Sequence, residues 1–503
     1  MESAEKPRHP KGLYVLFFTE MWERFGFYTM LAIFTLYLDE YFHFAHTGTI
    51  YGAFLAIVYF TPIAGGLVAD RVLGFRKTIM LGAVLMALGY GCLAVKIPET
   101  AATEQIVRAA EARLAVAIGD WEKRSAAAAK SGSKFDESTP TYLSLAQTEW
   151  QQRAEAAKSA GQKFDEPRPS HGPGRTAGRP LFFFALLLLV LGNGLFKPNI
   201  SVMVGNLYEE GSPLKDSAFN IFYMGINIGA FGAPFAAAAL RNTLGWSWAF
   251  GAAGAGMLAS LGIFRGFQRF VEHAEIAHST NSVVKGADLS RKQEWNRIFA
   301  LLTIYAIVIL FWMSFHQNGF TLTFWARDCT GPLFGRWQIP AETFQAVNPF
   351  FVVSLTPLLV LFWGAMRKRG LEPSTPGKIG IGMLLTAASY GIMTLAGKMG
   401  GDFGRVSPLW LIAAYATITC GELCLSPMGL SFCSKVAPPR FRGVMMGLWF
   451  GATACGNYLS GAVEPFWDQW PHSRFFLFLV AASLFAALLL RLVLKKVNAA
   501  AAS

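Results

Sequence analysis

Residues 12 to 38 read Gly12-Leu-Tyr-Val-Leu-Phe-Phe-Thr-Glu20-Met-Trp-Glu23-Arg24-Phe-Gly-Phe27-Tyr28-Thr-Met-Leu31-Ala-Ile-Phe-Thr-Leu-Tyr-Leu38. A hydrocarbon core about 30 Å thick needs roughly 20 apolar residues per helical span, and this stretch supplies them around three charges. Each charge at the centre of a span costs at least about 2.5 kcal/mol and persists only beside a partner or a water-filled cavity. Glu20, Glu23, Arg24, Phe27 and Tyr28 follow the spacing that places side chains on one helix face. That face carries two acids, a guanidinium and a phenol toward the inside of a helical bundle.

The rest of the chain repeats the apolar theme. Hydrophobic residues make up 53% of 503 positions and charged residues 15%, far from the balance of a water-soluble enzyme. A net charge of +12 would suit nucleic acid, but the Lys and Arg residues fall in short segments between apolar runs, so membrane topology accounts for them. Cys92, Cys420, Cys424, Cys433 and Cys455 lie in or beside apolar segments and Cys329 is left over. Neither a disulfide framework nor a zinc pattern follows, and no metal or cofactor is expected. Lys6, Arg8 and Lys11 lead into the first span without a cleavage site, which reads as a retained, inserted start.

Twelve spans are expected, making an all-α integral membrane protein. They are Gly12 to Leu38, Thr49 to Asp70, Lys77 to Val95, Leu181 to Gly205, Ser217 to Leu240, Trp246 to Gly266, Arg297 to Phe320, Val347 to Met366, Gly377 to Ala396, Pro408 to Val436, Gly443 to Val463 and His472 to Leu494. Arg71, Arg76 and Lys77, the segment Arg265 to Arg297, Arg367 to Arg369 and Lys435 to Arg442 put basic loops on one side, so both termini are expected in the cytoplasm. The chain then divides into an N-terminal six-helix bundle (1–266), a cytoplasmic linker (267–296) and a C-terminal six-helix bundle (297–503). A weak internal repeat, with basic second-to-third and eighth-to-ninth connections, suits two related bundles around a midplane site.

Residues 96–180 break the pattern. They are polar and fall on the periplasmic or extracellular side, and Trp121, Arg124, Lys134, Phe135, Asp136 and Glu137 recur as Trp150, Arg153, Lys163, Phe164, Asp165 and Glu166. Alanine and long polar side chains favour helix, so two or three helices are expected, ending near Ser131 to Ser133 and Ser159 to Gly161. An insertion with only a packing role is preferred over a partner-docking one.

Two further charges interrupt spans: Lys197 in the fourth and Glu422 in the tenth. With Glu20, Glu23 and Arg24 they sum to minus one when all ionise. Acids without full compensation in a low dielectric readily take a proton near neutral pH, as a proton-coupled carrier requires. The alternative is a static network, for instance Glu23 with Arg24 and Glu422 with Lys197.

Glu20-Met-Trp-Glu23-Arg24-Phe25-Gly-Phe27-Tyr28 resembles the ExxERFxYY signature of the proton-dependent oligopeptide transporter family, within the major facilitator superfamily. Gly65-Gly66-Leu-Val-Ala-Asp70-Arg71 with Gly74, Arg76 and Lys77 resembles that superfamily's cytoplasmic loop motif. Phe222-Tyr223-Met-Gly225-Ile-Asn227-Ile-Gly229 is similar to the family's fifth-helix signature; Phe196-Lys197-Pro198-Asn199, Asn348-Pro349 and Gly421-Glu422-Leu423 with Ser426-Pro427 fit as well. The resemblance covers all twelve spans and leaves out the insertion. It implies that Glu20, Glu23 and Arg24 couple protons, that Lys197 faces a peptide carboxylate and Glu422 its amino group, and that Tyr28, Tyr59, Asn227, Asn348 and Trp449 line the pocket. Without the resemblance, packing or an aromatic belt would explain Tyr28, Tyr59 and Trp449.

The chain departs from that pattern in four places. Phe27 lacks the hydroxyl of the signature's first aromatic, and Leu31 stands where many members carry a second arginine. The seventh span reads Phe315-His316-Gln317 where an acid usually precedes glutamine. An extra helix pair between the halves is missing. His316 cannot attract Lys197, so Lys197 is expected to turn to Glu20, Glu23 or Glu422, and His316 to titrate in the acid's stead as a proton-sensitive gate; a neutral, hydrogen-bonded histidine is the plainer alternative. The resulting expectation is a symporter of the bacterial-type inner membrane that imports di- and tripeptides with protons, functional as a monomer. Transport of nitrate, amino acids or another anion comes second, a receptor or scaffold using the insertion third, and an enzyme last.

Overall fold

The computed structural model describes residues 9–131, 137, 140, 142–159, 169, 174–209, 214–275, 290–438 and 441–502. Of the residues named above, Lys6, Arg8, Ser133 to Asp136, Gly161 and Lys163 to Glu166 lie outside them. The described chain is almost wholly helical. In the first half, α1 (Lys11–Leu36) runs through a π turn at Tyr37–Tyr41 into the second span, which bends at Thr61 and Pro62 and so divides into α2 (Thr47–Phe60) and α3 (Pro62–Val68). Then come α4 (Phe75–Ala94), the insertion helices α5 (Ala101–Ser131) and α6 (Tyr142–Ser159), α7 (Arg179–Asn206), α8 (Lys215–Leu244) and α9 (Trp246–Gly266).

The second half opens with α10 (Arg291–Phe315), which starts from a Ser290–Gln293 capping box. It is followed by α11 (Thr321–Asp328), α12 (Val347–Lys368), α13 (Thr375–Met399), α14 (Leu409–Val436), α15 (Arg442–Ala462), α16 (Glu464–Gln469) and α17 (His472–Ala502). Ten of the described helical stretches are long and apolar enough to cross a membrane by length and composition. α1, with its three charges, and α15 stand outside that group but match it in length, at 26 and 21 residues. Pro198, Pro234, Pro357 and Pro427 sit inside α7, α8, α12 and α14 without ending them. The expected all-α architecture of two six-helix bundles is the architecture found.

One boundary differs from expectation. The seventh span does not stop at Phe320: it passes through a 3-10 turn at His316–Gly319 and continues as α11 to Asp328. Arg327 and Asp328 mark a loop when read alone, yet Arg327 binds Asp39 at 2.6 Å and Glu40 at 3.4 Å, so its charge is answered within the fold. The insertion helices end at Ser131 and Ser159, close to where composition placed them.

The two bundles meet along a seam at the end where the insertion sits, here called the insertion end; the opposite end, where α1 begins, is the terminal end. α2 packs along α15, and α8 packs on α12 and the turn before it, whereas no comparable packing joins α7 to α14 among the described residues. The seam is backbone-close: a Cβ on Gly461 would stand 1.8 Å from the Gly48 carbonyl oxygen. Polar bonds cross it as well. Thr35 donates to the Gly319 carbonyl (2.7 Å), Gln345 to the Ala32 carbonyl (3.4 Å), and Arg241 of α8 binds Glu342 (3.1 Å) and also Glu40. Opposite charges buried together in this way hold register, since leaving either partner alone would strand a desolvated charge.

Candidate functional site

The charged face of α1 points inward as its spacing requires. Glu20, Glu23 and Arg24 are 1%, 0% and 3% exposed, so none is answered by lipid or bulk water. Arg24 grips Glu23 with two bonds, from Nε to Oε2 and from Nη2 to Oε1 (2.6 Å), and its guanidinium lies 5.0 Å from the Phe27 ring centroid. Glu20 takes the remaining side of the same cation: its Oε1 is 3.4 Å from Nε, while its Oε2 has no hydrogen-bond partner among the described residues. One guanidinium serves two carboxylates, and Glu20 is the one left incompletely bound.

Across from this cluster, α7 presents Lys197 close to Arg24, Glu20 and Glu23 in electrostatic reach. Among the described residues it makes no ion pair within 4.0 Å. The expected turn toward an acid is therefore not what the structure shows; Nζ rests 4.8 Å from the centroid of the Tyr59 ring instead. A desolvated ammonium over an aromatic face gains from the ring quadrupole, and Tyr59 on α2 supplies that face while Glu20 and Glu23 act on the ammonium from beyond ion-pair distance. The static Glu422–Lys197 pair is likewise absent, whereas the Glu23–Arg24 pair is formed.

The other edge of Tyr59 faces the second bundle. His316 meets it edge-on at 6.2 Å between centroids, stacks on Trp312 at 5.5 Å and touches Phe315 at 5.3 Å. It is 8% exposed and its Nε2 has no partner. Tyr59 is thus contacted both by Lys197 of its own bundle and by His316 of the other.

On α14, Glu422 accepts a bond from Asn348 of α12 (2.9 Å), which also donates to Thr419 (3.0 Å). The acid is oriented by an amide and has no cation beside it among the described residues. Tyr28 lies within electrostatic reach of Tyr59, Arg24, Tyr223 and Glu422. Asn227 turns its amide back to the Tyr223 carbonyl (2.9 Å).

Sequence reasoning passed over Tyr223 and Trp312 as site residues. Tyr223 is 49% exposed, and its place beside Asn227 in the fifth-helix motif is the sequence signal that would have singled it out. Trp449 is placed differently from the pocket wall it was expected to be. It is 2% exposed, packs edge-on to Tyr305 at 5.7 Å and fills the space that a Cβ on Gly429 would need, so in this arrangement it is core.

A family profile described as the POT family matches residues 76–287 and 267–478, together most of the chain. The chain belongs to the POT family. Among its POT-family relatives, the chain is 29% identical to the peptide transporter YePEPT of Yersinia enterocolitica, over 90% of its own length and 87% of that protein's. It is 28% identical to a di-/tripeptide transporter of Lactococcus lactis, over 93% and 91%. A solved peptide transporter POT variant in complex with alafosfalin superposes with a TM-score of 0.75 at 25% identity, covering 98% of this chain and 96% of that one. The major facilitator arrangement and a multi-pass membrane protein follow from POT-family membership and the apolar helices together.

Proposed function

We propose that this chain is a proton-coupled symporter that carries di- and tripeptides by alternating access, its bundles rocking about the midplane site. One observation carries the reading: a cation in the first bundle, Lys197, rests on the Tyr59 ring, an acid in the second, Glu422, is held by the Asn348 amide, and among the described residues neither is paired with the other. A zwitterion with a carboxylate at one end and an ammonium at the other completes both, and in doing so draws the bundles together. Nitrate or another plain anion would satisfy Lys197 and leave Glu422 unanswered. The names of the relatives point the same way.

Glu20 is the proton acceptor in this reading, because Arg24 is already held by Glu23 and one Glu20 oxygen has no partner. Glu23 and Arg24 position it, and Tyr28, Tyr59, Asn227, Asn348 and Tyr223 border the peptide, with Trp449 joining the wall only if the α14–α15 packing loosens. Both termini face the cytoplasm, the insertion faces the periplasm, and the seam closes the outer side, so the arrangement is open inward. Residues 1–266 and 297–503 are the rocking units, joined by 267–296, and one chain suffices.

The test is uptake into proteoliposomes of labelled dialanine, free alanine and nitrate under an imposed inward proton gradient. Dialanine alone should accumulate, and an uncoupler should abolish accumulation. Equal rates with and without the gradient would sink the symport claim, and nitrate uptake with no dialanine uptake would replace the substrate.

A further inference from the structure

The start of α2 is unusual in what caps it. The first turn of any helix leaves amide N–H groups without partners, commonly met by the side chain of the residue just before the helix. His46 holds that position and provides no such bond. The Gly48 amide donates instead to Oε1 of Glu464 at 2.9 Å, and the Thr49 amide bonds the same carboxyl. Glu464 opens α16 in the other bundle, so the cap of α2 is supplied across the seam and can exist only while the insertion end is closed.

Its surroundings hold no compensating cation. Glu464 is 7% exposed and makes no ion pair among the described residues. From α16 itself Asp468 faces it, and from the end of α1 Asp39 does, the latter engaged by Arg327 at 2.6 Å. α2 contributes backbone amides and no charged side chain in its first turn, and the facing end of α15 contributes none. At the start of α17, His472 is stacked on Trp467 and Arg474 lies over Trp470, so neither answers the carboxyl.

We propose that Glu464 is a second proton-binding site of the transporter, one that takes its proton from the fluid at the insertion end as the two bundles close there. Closure moves the carboxyl from water into a buried seam beside two other acids, which disfavours the charged form. Burial pushes the Glu464 carboxyl up to about 7 against the pull of the Gly48 amide, with Asp468 adding to the rise, and burial with Asp39 pushes Asp468 up to about 6. When the seam opens, water returns and the carboxyl falls to its ordinary value of about 4.3. The sign follows from linkage: the closed state binds the proton more tightly, so closure is favoured at acid pH and loses that advantage as pH rises toward 7. Between those two values the closed-to-open ratio falls about tenfold per pH unit, and above 7 it is level.

The inference rests on the transporter reading only for which compartment supplies the proton. Spin labels on Leu244→Cys and Phe334→Cys, exposed positions on the two bundles, in a Cys455→Ser background, report the insertion-end distance by pulsed electron resonance without any substrate. Measured at pH 5, 6, 7 and 8, the closed population should fall to pH 7 and then level. Glu464→Gln keeps an oxygen for the Gly48 amide and loses the titration, so that fall should vanish with the seam still formed. Asp468→Asn removes a neighbouring charge and should move the levelling point to lower pH. A wild-type population that is flat across this range, or a fall that survives unchanged in Glu464→Gln, overturns the proposal. Because the readout needs no peptide, a chain that failed the uptake test would still answer this one.

Discussion

The ammonium of Lys197 lies 4.8 Å from the centre of the Tyr59 ring, and that ring is also the surface His316 meets from the opposite bundle. Tyr59 is therefore a side chain that residues of the fourth and the seventh spans both contact.

Lys197→Ala should abolish peptide binding at every pH, since on the proposed reading Lys197 meets the substrate carboxylate. Tyr59→Phe keeps the ring and should leave binding within a few fold. Tyr59→Leu removes the π face, worth about 1–2 kcal/mol to a desolvated cation, and should weaken binding by roughly tenfold. Equilibrium binding of labelled dialanine to detergent-solubilised protein separates the three; full binding in Lys197→Ala would move the carboxylate site elsewhere.

His316→Gln preserves size and hydrogen bonding while removing titration. If His316 acts as the proton-sensitive gate, the pH profile of proton-driven uptake should shift or flatten with peptide binding retained. An unchanged profile assigns it the plainer role of a buried imidazole among Trp312, Phe315 and Tyr59.

Gly461→Ala should cut uptake by at least tenfold in protein that still inserts. The added methyl would stand 1.8 Å from the Gly48 carbonyl, and forcing such a contact costs about 1–3 kcal/mol, enough to depopulate the closed seam. Gly447→Ala lies on the same helix, where a methyl would meet Ile63 at an ordinary 3.7 Å, and should transport normally. Equal behaviour of the two variants would show that the crossing is not a determinant of closure.

Deleting Thr100 to Ser170 and closing the loop should leave transport largely intact. The hairpin is tied to the first bundle by Arg175, which binds Glu111 at 3.1 Å and Glu104 at 3.7 Å, and it reaches the second bundle through Glu122 and Arg405 at 2.6 Å. That last pair is 43% and 34% exposed, and exposed pairs contribute at most about 1 kcal/mol. Glu99, which receives the Thr176 and Ala177 amides, survives the deletion. Loss of uptake in a folded, inserted deletion would make the hairpin a working part.

The helices were legible because apolar runs and intruding charges are local signals, and the insertion helices because alanine-rich composition has an abrupt end. What escaped was set by distance across the fold. Arg327 and Asp328 read as a loop until Asp39 and Glu40 are seen beside them, and nothing in residues 464 or 48 alone announces that one caps the other. Lys197 was expected to pair with an acid because charge is the visible property of a sequence; packing decides contact, and the ammonium rests on the Tyr59 ring with Glu20 and Glu23 beyond ion-pair distance. Tyr223 and Trp449 exchange expectations for the same reason: a tyrosine and a tryptophan in apolar helices look alike until one is seen half exposed and the other sealed.

The five ionisable residues of the α1, α7 and α14 cluster comprise three carboxylates and two cations, so the empty, unprotonated site carries one negative charge. On the proposed cycle a bound proton cancels it and a zwitterionic peptide adds none, which makes the loaded crossing electrically silent. The empty carrier then returns its site outward with that charge, and an inside-negative voltage acts on this step, by up to about 2.3 kcal/mol for each 100 mV the charge crosses. The membrane potential would thus be spent on resetting the carrier rather than on moving its cargo.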